Sequence, residues 1–509
     1  MRVIIVGAGL VGTQLARYLV KEKHDVTIIE ANEDRARHVS NSLDCMIIQN
    51  EGNSIQNLEE AGILKADALV CVTNSDEVNM IICGLASRYP RLLRIACVRN
   101  DEYVRRNFRS LQNQDEASMG IDFFIHPDVE AARSALDAIE HGAIGEVLSF
   151  AGTPYELGSI DVQAGSAFDG LTLVDFRTVL PGDSLVTLIE RKDESILPGG
   201  STRITAGDRI YLLAKDEELN EGFRLCGRDE KRLHRIGIVG GGRLGALIAD
   251  GLLNRDKWDE GLSLETDTEY SAGTHKGGKR KHLFSFLKTL IPKRLKQLVI
   301  IEQDYAVCKD LSSRFPEALV LNEDISDENF IVEEHIDDLD LIVTATEYQE
   351  FNIITAVYLK SRGVGRAIAM VTSDGYASIA RKLGVDVVIP IKSVVVDSII
   401  SRLMGGGIRS VHRLGNKAGI IELDIAPGSV AEGKVLKDFH LPLGALVMLV
   451  NREKESDFIP KGDYVYTAGH RLILVARTGT EAEIEKIFGG GGSKGDNERK
   501  SQNNHRDEK

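Results

Sequence analysis

The sequence predicts an α/β protein built twice over: two tandem units, each a doubly wound parallel sheet followed by a small α+β lobe. Three observations predict it. Short β-rich apolar runs alternate with stretches of helical spacing. A glycine-rich turn stands between the first strand and the first helix. The whole pattern then recurs: VIIVGAG (3–9) returns as IGIVGGG (236–242), VTIIE (26–30) as LVIIE (298–302), and ADALVCVTNSDEVNM (66–80) as LDLIVTATEYQEFNI (339–353). RIACVRND (94–101) is matched by RAIAMVTSD (366–374), and IDFFIHPDVEAARSALDAI (121–139) by VDVVIPIKSVVVDSIISRL (385–403).

Each element follows in order. In the first half, strands are expected at about 2–6, 25–30, 44–48, 67–73, 93–98 and 121–125. The pieces between them carry helical spacing, as in Leu10, Leu15, Leu19 and in Ala36, Val39, Leu43. VEAARSALDAIEHGA (129–143) reads as an exit helix. A different segment then closes each half. AGSAFDGLTLVDF (164–176) leads to ITAGDRIYLL (204–213), and PGSVAEGKVLKDF (427–439) leads to YTAGHRLILV (466–475). Its short strands, and turns such as LPGD (180–183) and PGG (198–200), mark a small α+β lobe. The expected domains are 1–127, 142–226, 234–404 and 408–480, with an insertion at about 255–297 and a disordered Gly-rich, then charged, tail at 489–509.

Composition narrows the function. The 509 residues are 43% apolar and 27% charged, an ordinary globular balance. One Trp and 6% aromatics argue against a broad aromatic-lined groove for a polymer. The formal charge of −15, from 62 basic and 77 acidic residues, opposes global nucleic-acid binding. The longest run without a charged residue, Val3 to Ala16, is fourteen residues, short of the roughly 18–20 of a membrane span. A strand starts at once from Met1, with no signal-peptide pattern. The six cysteines show no metal-ligand spacing, which suggests reduced thiols in a cytosolic protein.

The chemistry centres on Gly7-x-Gly9-x-x-Gly12, followed by Glu30. Gly7 permits a tight turn, Gly9 lets backbone approach a pyrophosphate, and Gly12 lets the helix pack on the sheet. Leu10 and Val11 open the helix whose N-terminus would face the phosphates. Glu30 closes the second strand, where a carboxylate accepts from ribose hydroxyls and repels a 2′-phosphate. NAD(H) or an adenine nucleotide is thus favoured over the 2′-phosphorylated cofactor. The plainer reading keeps the glycines for packing alone. The second half repeats the pattern with Gly240, Gly242, Gly245 and Glu302, but places Arg243 and Leu244 where Leu10 and Val11 stand. An arginine there can pair with a β- or γ-phosphate. Elsewhere the second copy diverges. Gly52-Asn53 gives way to the Glu323-Asp324-Ile325 stretch, and Arg99 becomes Thr372. Asn79 and Asn352, after each fourth strand, can bond across the pocket or cap the next helix. No nucleophile–base set or metal-ligand cluster accompanies these loops, so the pattern reads as a sensor. The competing function is an NAD-dependent oxidoreductase with an unrecognised active site.

VIIVGAGLVGTQLARYLVKEKHDVTIIE, ADALVCVTNSDEVNM and the AG(D/H)R end of each small lobe resemble the RCK domain, and the duplicated arrangement resembles the TrkA-type regulatory subunits of Trk potassium uptake systems. The resemblance covers nearly the whole chain except the insertion and the tail. It implies Rossmann-like RCK_N lobes that bind NAD(H), ATP or ADP, each followed by an RCK_C lobe. It also implies a homo-oligomeric, tetrameric ring on the cytoplasmic face of the membrane, docked under a Trk-type potassium transporter subunit. Carried over by position, Gly7, Gly9, Gly12, Glu30, Asn53, Thr73 and Arg99 line the first pocket, with Asn53 where the family carries Asp. Gly240, Gly242, Arg243, Gly245 and Glu302 line the second.

The insertion is polarised. Residues 256–269 hold six acids and one lysine, while 276–296 hold eight Lys/Arg and no acid. Leu283, Phe284, Leu287, Leu290 and Ile291 recur at helical spacing, so this run reads either as a solvated loop or as a basic amphipathic helix on an anionic membrane surface or the partner.

Overall fold

A computed structural model describes residues 1–100, 102–103, 119–140, 142–143, 145, 147–150, 153–192, 194–226, 233–254, 295–403, 408–414, 418–442, 444–452 and 456–489. Residues 255–294, which hold the acidic stretch and nearly all of the basic run of the insertion, and the tail beyond 489 lie outside the described residues.

The first sheet has six parallel strands: β1 (Arg2–Val6), β2 (Asp25–Glu30), β3 (Met46–Gln49), β4 (Ala68–Cys71), β5 (Leu93–Cys97) and β6 (Phe123–Ile125), in the order β3-β2-β1-β4-β5-β6. Helices α1 (Leu10–Lys21), α2 (Glu33–Ser40), α3 (Ile55–Glu60) and α4 (Asp76–Ala86) connect the strands on both faces, which is why Val3 to Val6 form an unbroken apolar run buried on both sides. Helix starts are set by side chains: Asn32 accepts from Arg35 N at 2.9 Å, and Ser75 from Val78 N at 3.2 Å. The exit helix α5 (Pro127–Glu140) begins on Pro at its first position, where the missing N–H costs nothing. His126, buried in front of it, accepts from Val129 N through Nδ1 at 3.2 Å.

Strands β7 (Val147–Ser149) and β8 (Tyr155–Asp161) pair antiparallel. Helix α6 (Leu173–Val179) precedes β9 (Leu185–Arg191), β10 (Glu194–Ile196) and β11 (Arg209–Lys215), in which β9 pairs antiparallel with both β10 and β11. Helix α7 (Asp216–Leu225) then leads to the second half.

The second parallel sheet repeats the first. Its strands are β12 (Arg235–Val239), β13 (Gln297–Glu302), β14 (Leu319–Asn322), β15 (Leu341–Thr344), β16 (Arg366–Val371) and β17 (Val387–Pro390), in the order β14-β13-β12-β15-β16-β17. Helices α8 (Arg243–Leu253), α9 (Tyr305–Arg314), α10 (Glu328–Glu333), α11 (Gln349–Arg362), α12 (Asp374–Lys382) and α13 (Ile391–Leu403) accompany it. The closing lobe holds β18 (Ile408–Leu414), β19 (Ala418–Asp424), β20 (Ala445–Asn451) and β21 (Arg471–Arg477), an antiparallel sheet in the order β18-β19-β21-β20, and helix α14 (Glu481–Phe488).

Two compact units result, Met1–Ile160 with Leu219–Ile399, and Asp161–Glu218 with Ile400–Lys509. The first holds both parallel sheets. Its join is made by α5, whose Ala131, Ala132, Ala135, Leu136, Ala138 and Ile139 belong to one apolar cluster with Ile236, Ile238 and Ala246 to Ala249 of the second domain. Alanines on α5 let α8 approach, and Gly251 completes the fit: a Cβ there would lie 2.3 Å from Leu136 Cδ1.

Within the second unit, the small lobes keep one backbone plan with different polar centres. Gly165 and Gly428 share a positive φ of 75°, and a carboxylate four residues on accepts from each glycine N–H: Asp169 at 3.0 Å, Glu432 at 2.7 Å. Asp208 is 1% exposed and is held by Arg191 Nε and Nη2, both at 2.7 Å, and by Thr205 N at 2.8 Å. His470 takes its place in the second lobe and pairs with Tyr464 OH at 3.0 Å. Burial alone would raise the Asp208 carboxyl, but the Arg191 and Thr205 hydrogen bonds outweigh it and hold it below the ordinary range. Asp208→Ala is expected to cost about 2–4 kcal/mol, discounted because Arg191 remains partly hydrated. Because the folded pKa is lowered, the Asp208 contribution is full above the unfolded value near 4 and fades as pH falls through the folded one. Acid titration of the melting temperature, wild type against Asp208→Asn, checks this: the two curves converge at low pH.

Among the described residues, no helix is long and apolar enough to cross a membrane, and no cluster of His, Cys, Asp or Glu is arranged for a metal ion. All six cysteines are free thiols.

Candidate nucleotide-binding site

In each parallel sheet the strand order reverses beside the central strand, which opens a crevice at the carboxyl ends of the strands. The glycine loop lies there. After Val6 the chain turns at Gly7 with φ +106°, and the same turn recurs at Gly240 with φ +98°. A Cβ on Gly12 would lie 1.9 Å from Gly7 O, and one on Gly245 would lie 1.9 Å from Gly240 O. These two glycines are therefore demanded by packing. Gly9 and Gly242 differ: a Cβ on either meets nothing within 4 Å. Each occupies the N-cap position of its helix, where no side chain caps the first N–H groups. The combination of uncapped N–H donors, helix dipole and open space in front suits a phosphate. Leu10, at the start of α1, is 64% exposed, and Val11 follows it half-buried. Arg243 and Leu244 hold the corresponding first turn of α8.

Glu30 and Glu302 are bound to the loops. Glu30 Oε2 accepts from Ala8 N at 2.6 Å and Oε1 from Asn32 N at 2.8 Å, with Arg35 at 3.3 Å. Glu302 repeats this with Gly241 N at 2.7 Å and Asp304 N at 2.8 Å. Each carboxylate thus pins the glycine loop to the end of the second strand and keeps lone pairs for a ribose hydroxyl.

The opposite rim is held by amides. Asn79, fully buried, accepts from Thr73 N at 2.9 Å and Thr73 Oγ1 at 2.7 Å, and donates to Thr73 O at 3.2 Å and Cys97 O at 2.8 Å. Asn352 does the same with Thr346 and Met370 O. The sequence left two roles open for these residues, bonding across the pocket or capping the next helix. Their bonds tie the ends of adjacent strands together at the rim, and Ser75 caps α4. Asn53 is exposed beside Gly52, whose own Cβ would lie 2.4 Å from Val6 Cγ1.

Arg99 and Arg243 meet at the seam between the two domains. Arg99 N and Asn100 N donate to Asp76 Oδ2 at 2.8 and 2.7 Å, which fixes the turn after β5. Arg243 leaves its own loop, donates to Arg99 O at 2.8 Å, and lies 3.7 Å from Asp128. Lys392 stands close enough for Arg99 to lower its pKa, after the larger effect of burial. Gln14 of α1 crosses in the other direction, donating to Ser393 Oγ at 2.9 Å and Asp374 Oδ2 at 3.2 Å. Here Thr372, in the place of Arg99, is held by Gln349.

Comparison with known proteins decides the family. The TrkA-N domain model matches residues 3–121 and 284–391, and the TrkA-C domain model matches 157–227; together they account for more than half of the chain. The chain belongs to the TrkA family. Its second TrkA-N match begins after the glycine loop at 240–245, beyond the point where the insertion separates that loop from the rest of the domain. The Trk system potassium uptake protein TrkA of Halomonas elongata is 28% identical over 495 residues, covering 96% of this chain and 98% of that one. Trk system potassium uptake protein TrkA homolog 1 of Methanosarcina mazei is 27% identical, covering 96% and 100%. Among solved structures, the GsuK channel matches with a TM-score of 0.53 at 16% identity, over 96% of this chain and 78% of that chain. The GsuK channel bound to NAD matches at 0.51 and 16%, with the same coverage. These likenesses fix the fold of both TrkA halves.

Sequence reasoning passed over the seam contacts. Gln14 and Asp128 look like ordinary surface polar residues in one dimension, because their partners lie in the other half of the chain. It also passed over Tyr305 and Tyr348, which lie outside any apolar periodicity.

Proposed function

We propose that this protein is the nucleotide-sensing regulatory subunit of a Trk-type potassium uptake system, working on the cytoplasmic face of the membrane. The observation that carries the reading is end-to-end similarity to proteins named as TrkA potassium uptake proteins, in a chain whose two Rossmann-like domains both keep an open, uncapped glycine loop. NAD(H) is the ligand assigned to the first pocket, formed by Gly7, Gly9, Leu10, Val11, Gly12, Glu30, Asn53, Thr73 and Arg99. The second, formed by Gly240, Gly242, Arg243, Leu244, Gly245 and Glu302, takes NAD(H) or ATP/ADP. The chain works as a ring of identical subunits, a tetramer, under the transporter.

Arg243 supplies a physical route from ligand to assembly. It belongs to the second glycine loop yet bonds the turn that carries Arg99 in the first domain. A phosphate that draws the guanidinium away releases this contact, so occupancy is felt at the seam. Such a ligand shifts the assembly only by its difference in affinity between the two arrangements. The oxidoreductase reading falls away, since the full-length relatives carry a transport-system name and the residues around the loops serve to hold it.

The deciding experiment reconstitutes the transporter with this subunit in vesicles and follows potassium flux with NAD, NADH, ATP or ADP added. Flux is expected to change severalfold with at least one nucleotide, and Arg243→Ala is expected to blunt the response while leaving nucleotide affinity within about tenfold. Nucleotide binding without any effect on flux would sink the regulatory reading; turnover of NAD(H) by the protein alone would favour an enzyme.

A further inference from the structure

The two pockets differ at the rims that flank the glycine loop. In the second domain, β13 and β15 lie on either side of β12, so the segments after them border the loop from both sides. Each segment carries a tyrosine that the core does not use. Tyr305, three residues past Glu302, is 72% exposed, and Tyr348, four past the end of β15, is 70% exposed. Both are held by their backbones. Asp304 caps α9 by accepting from Ala306 N and Val307 N, and its own N–H is bonded to Glu302 Oε1, which places Tyr305. Tyr348 N donates to Thr346 Oγ1 at 3.3 Å, and its carbonyl accepts from Asn352 N at 2.9 Å. Thr346 is in turn the residue that a Cβ on Gly240 would strike. No hydrogen bond among the described residues engages either phenol.

In the first domain the matching positions are Glu33 and Ser75, and both serve their own helices. Glu33 pairs with Arg37 one turn on, and Ser75 caps α4 and donates to Glu77. Leaving two large aromatic side chains in water at both rims of a crevice that recurs in both halves has no folding benefit. A planar apolar ligand face gives one.

We infer that Tyr305 and Tyr348 form a stacking platform for the purine base of a nucleotide in the second pocket, with its phosphates at the N-terminus of α8 and its ribose at Glu302. The assignment rests on the proposal that this crevice is a nucleotide site, and it deepens it by naming what holds the base. Tyrosine faces stack on a base by dispersion and quadrupole contact, without reading its edge. The second pocket therefore prefers purines to base-free phosphates. The first pocket lacks the platform and relies on the loop, the acid and Arg99.

The test uses the full-length chain carrying Gly9→Asp, so that only the second pocket can bind, and titrates ADP and pyrophosphate by calorimetry. ADP is expected to bind at least tenfold more tightly than pyrophosphate. Tyr305→Ala and Tyr348→Ala should each weaken ADP about ten- to hundredfold, Tyr→Phe at either position should restore it, and pyrophosphate should not respond to any of them. Both rings are mostly solvent-exposed, so the alanine variants should fold; their melting temperatures check this. If Gly242→Asp abolishes ADP binding while neither alanine variant moves it, the stacking platform is wrong and the nucleotide pocket stands. Should the alanine variants change the mass of the assembled oligomer rather than ADP affinity, the tyrosines serve a contact between copies, and the inference is overturned. If wild type binds none of NAD, NADH, ATP and ADP, both readings fail together.

Discussion

Gly9→Asp should remove NAD(H) binding from the first domain and leave the fold intact, whereas Gly12→Ala should strike the fold itself. The two glycines stand three residues apart in one motif, but geometry assigns them different work. Gly9 has an ordinary φ of −66° and free space where a Cβ would grow. An aspartate there is a good N-cap: its carboxylate can accept from the N–H groups that Gly9 leaves uncapped, and it complements the helix dipole. Stability should hold or rise by a few tenths of a kcal/mol. The same carboxylate occupies the position of a phosphate and repels it, so affinity should fall by about a hundredfold or more, equivalent to roughly 3 kcal/mol. Gly12 offers no such room. Its Cβ would overlap the carbonyl oxygen of Gly7 at 1.9 Å, and a backbone atom cannot swing aside as a side-chain tip can. Relief requires α1 to move off the sheet, at an expected cost of about 2–4 kcal/mol. Gly242→Asp and Gly245→Ala should reproduce the contrast in the second domain. Calorimetry for binding and for unfolding, on the same four proteins, reads both halves of the prediction. Binding retained in Gly9→Asp would mean that the loop does not face the ligand.

The repeat made most of the fold legible. Because the sheet is parallel and covered on both faces, its strands appear as apolar runs that need no partner to be recognised, and each glycine loop follows one of them. Strand ends moved by only a residue or two: the third strand begins at Met46 rather than at residue 44, and the fourth ends at Cys71 rather than at residue 73, where Asn79 has taken Thr73 into its own hydrogen bonds. The glycine positions and their acids were legible for the same reason, since spacing along the chain is what they need. Pairings between the halves were not. Arg243 reads as a phosphate ligand when only its own loop is considered, and its contact with Arg99 O depends on how two domains pack through α5. His126 reads as a stray histidine until the helix behind it is seen to start on Pro127. The divergence of the small lobes was equally silent. Asp208 and His470 align without gaps, yet one needs an arginine from β9 and the other a tyrosine six residues before it.

Asn79→Ala should be the most damaging single substitution at the first pocket that touches neither the glycine loop nor a charged group. The carboxamide is fully buried and uses both ends. Its oxygen accepts from Thr73 N and Oγ1, and its nitrogen donates to Thr73 O and Cys97 O, so one side chain closes the gap between the ends of β4 and β5. Truncation takes the side-chain partner from a backbone N–H and from two carbonyls beside a cavity, and each buried group left unsatisfied costs about 1–3 kcal/mol. A loss of about 3–4 kcal/mol is expected in chemical denaturation. Asn79→Asp is nearly the same size but should fare no better. It keeps the acceptor, loses the donor, and sets a carboxylate oxygen against the Cys97 carbonyl. The consequence reaches the pocket because Thr73 lies against the turn at Gly7, where a Cβ would come within 3.1 Å of Thr73 N. With its amide unpinned, that rim should exchange its N–H hydrogen at Thr73 far faster, and NAD(H) affinity should fall about tenfold even in protein that remains folded. Asn352→Ala supplies the internal control: the same four bonds are lost around Thr346, so stability should drop equally while binding at the first pocket is unchanged. Equal loss of first-pocket affinity in both variants would show that the effect travels through global stability and not through the rim.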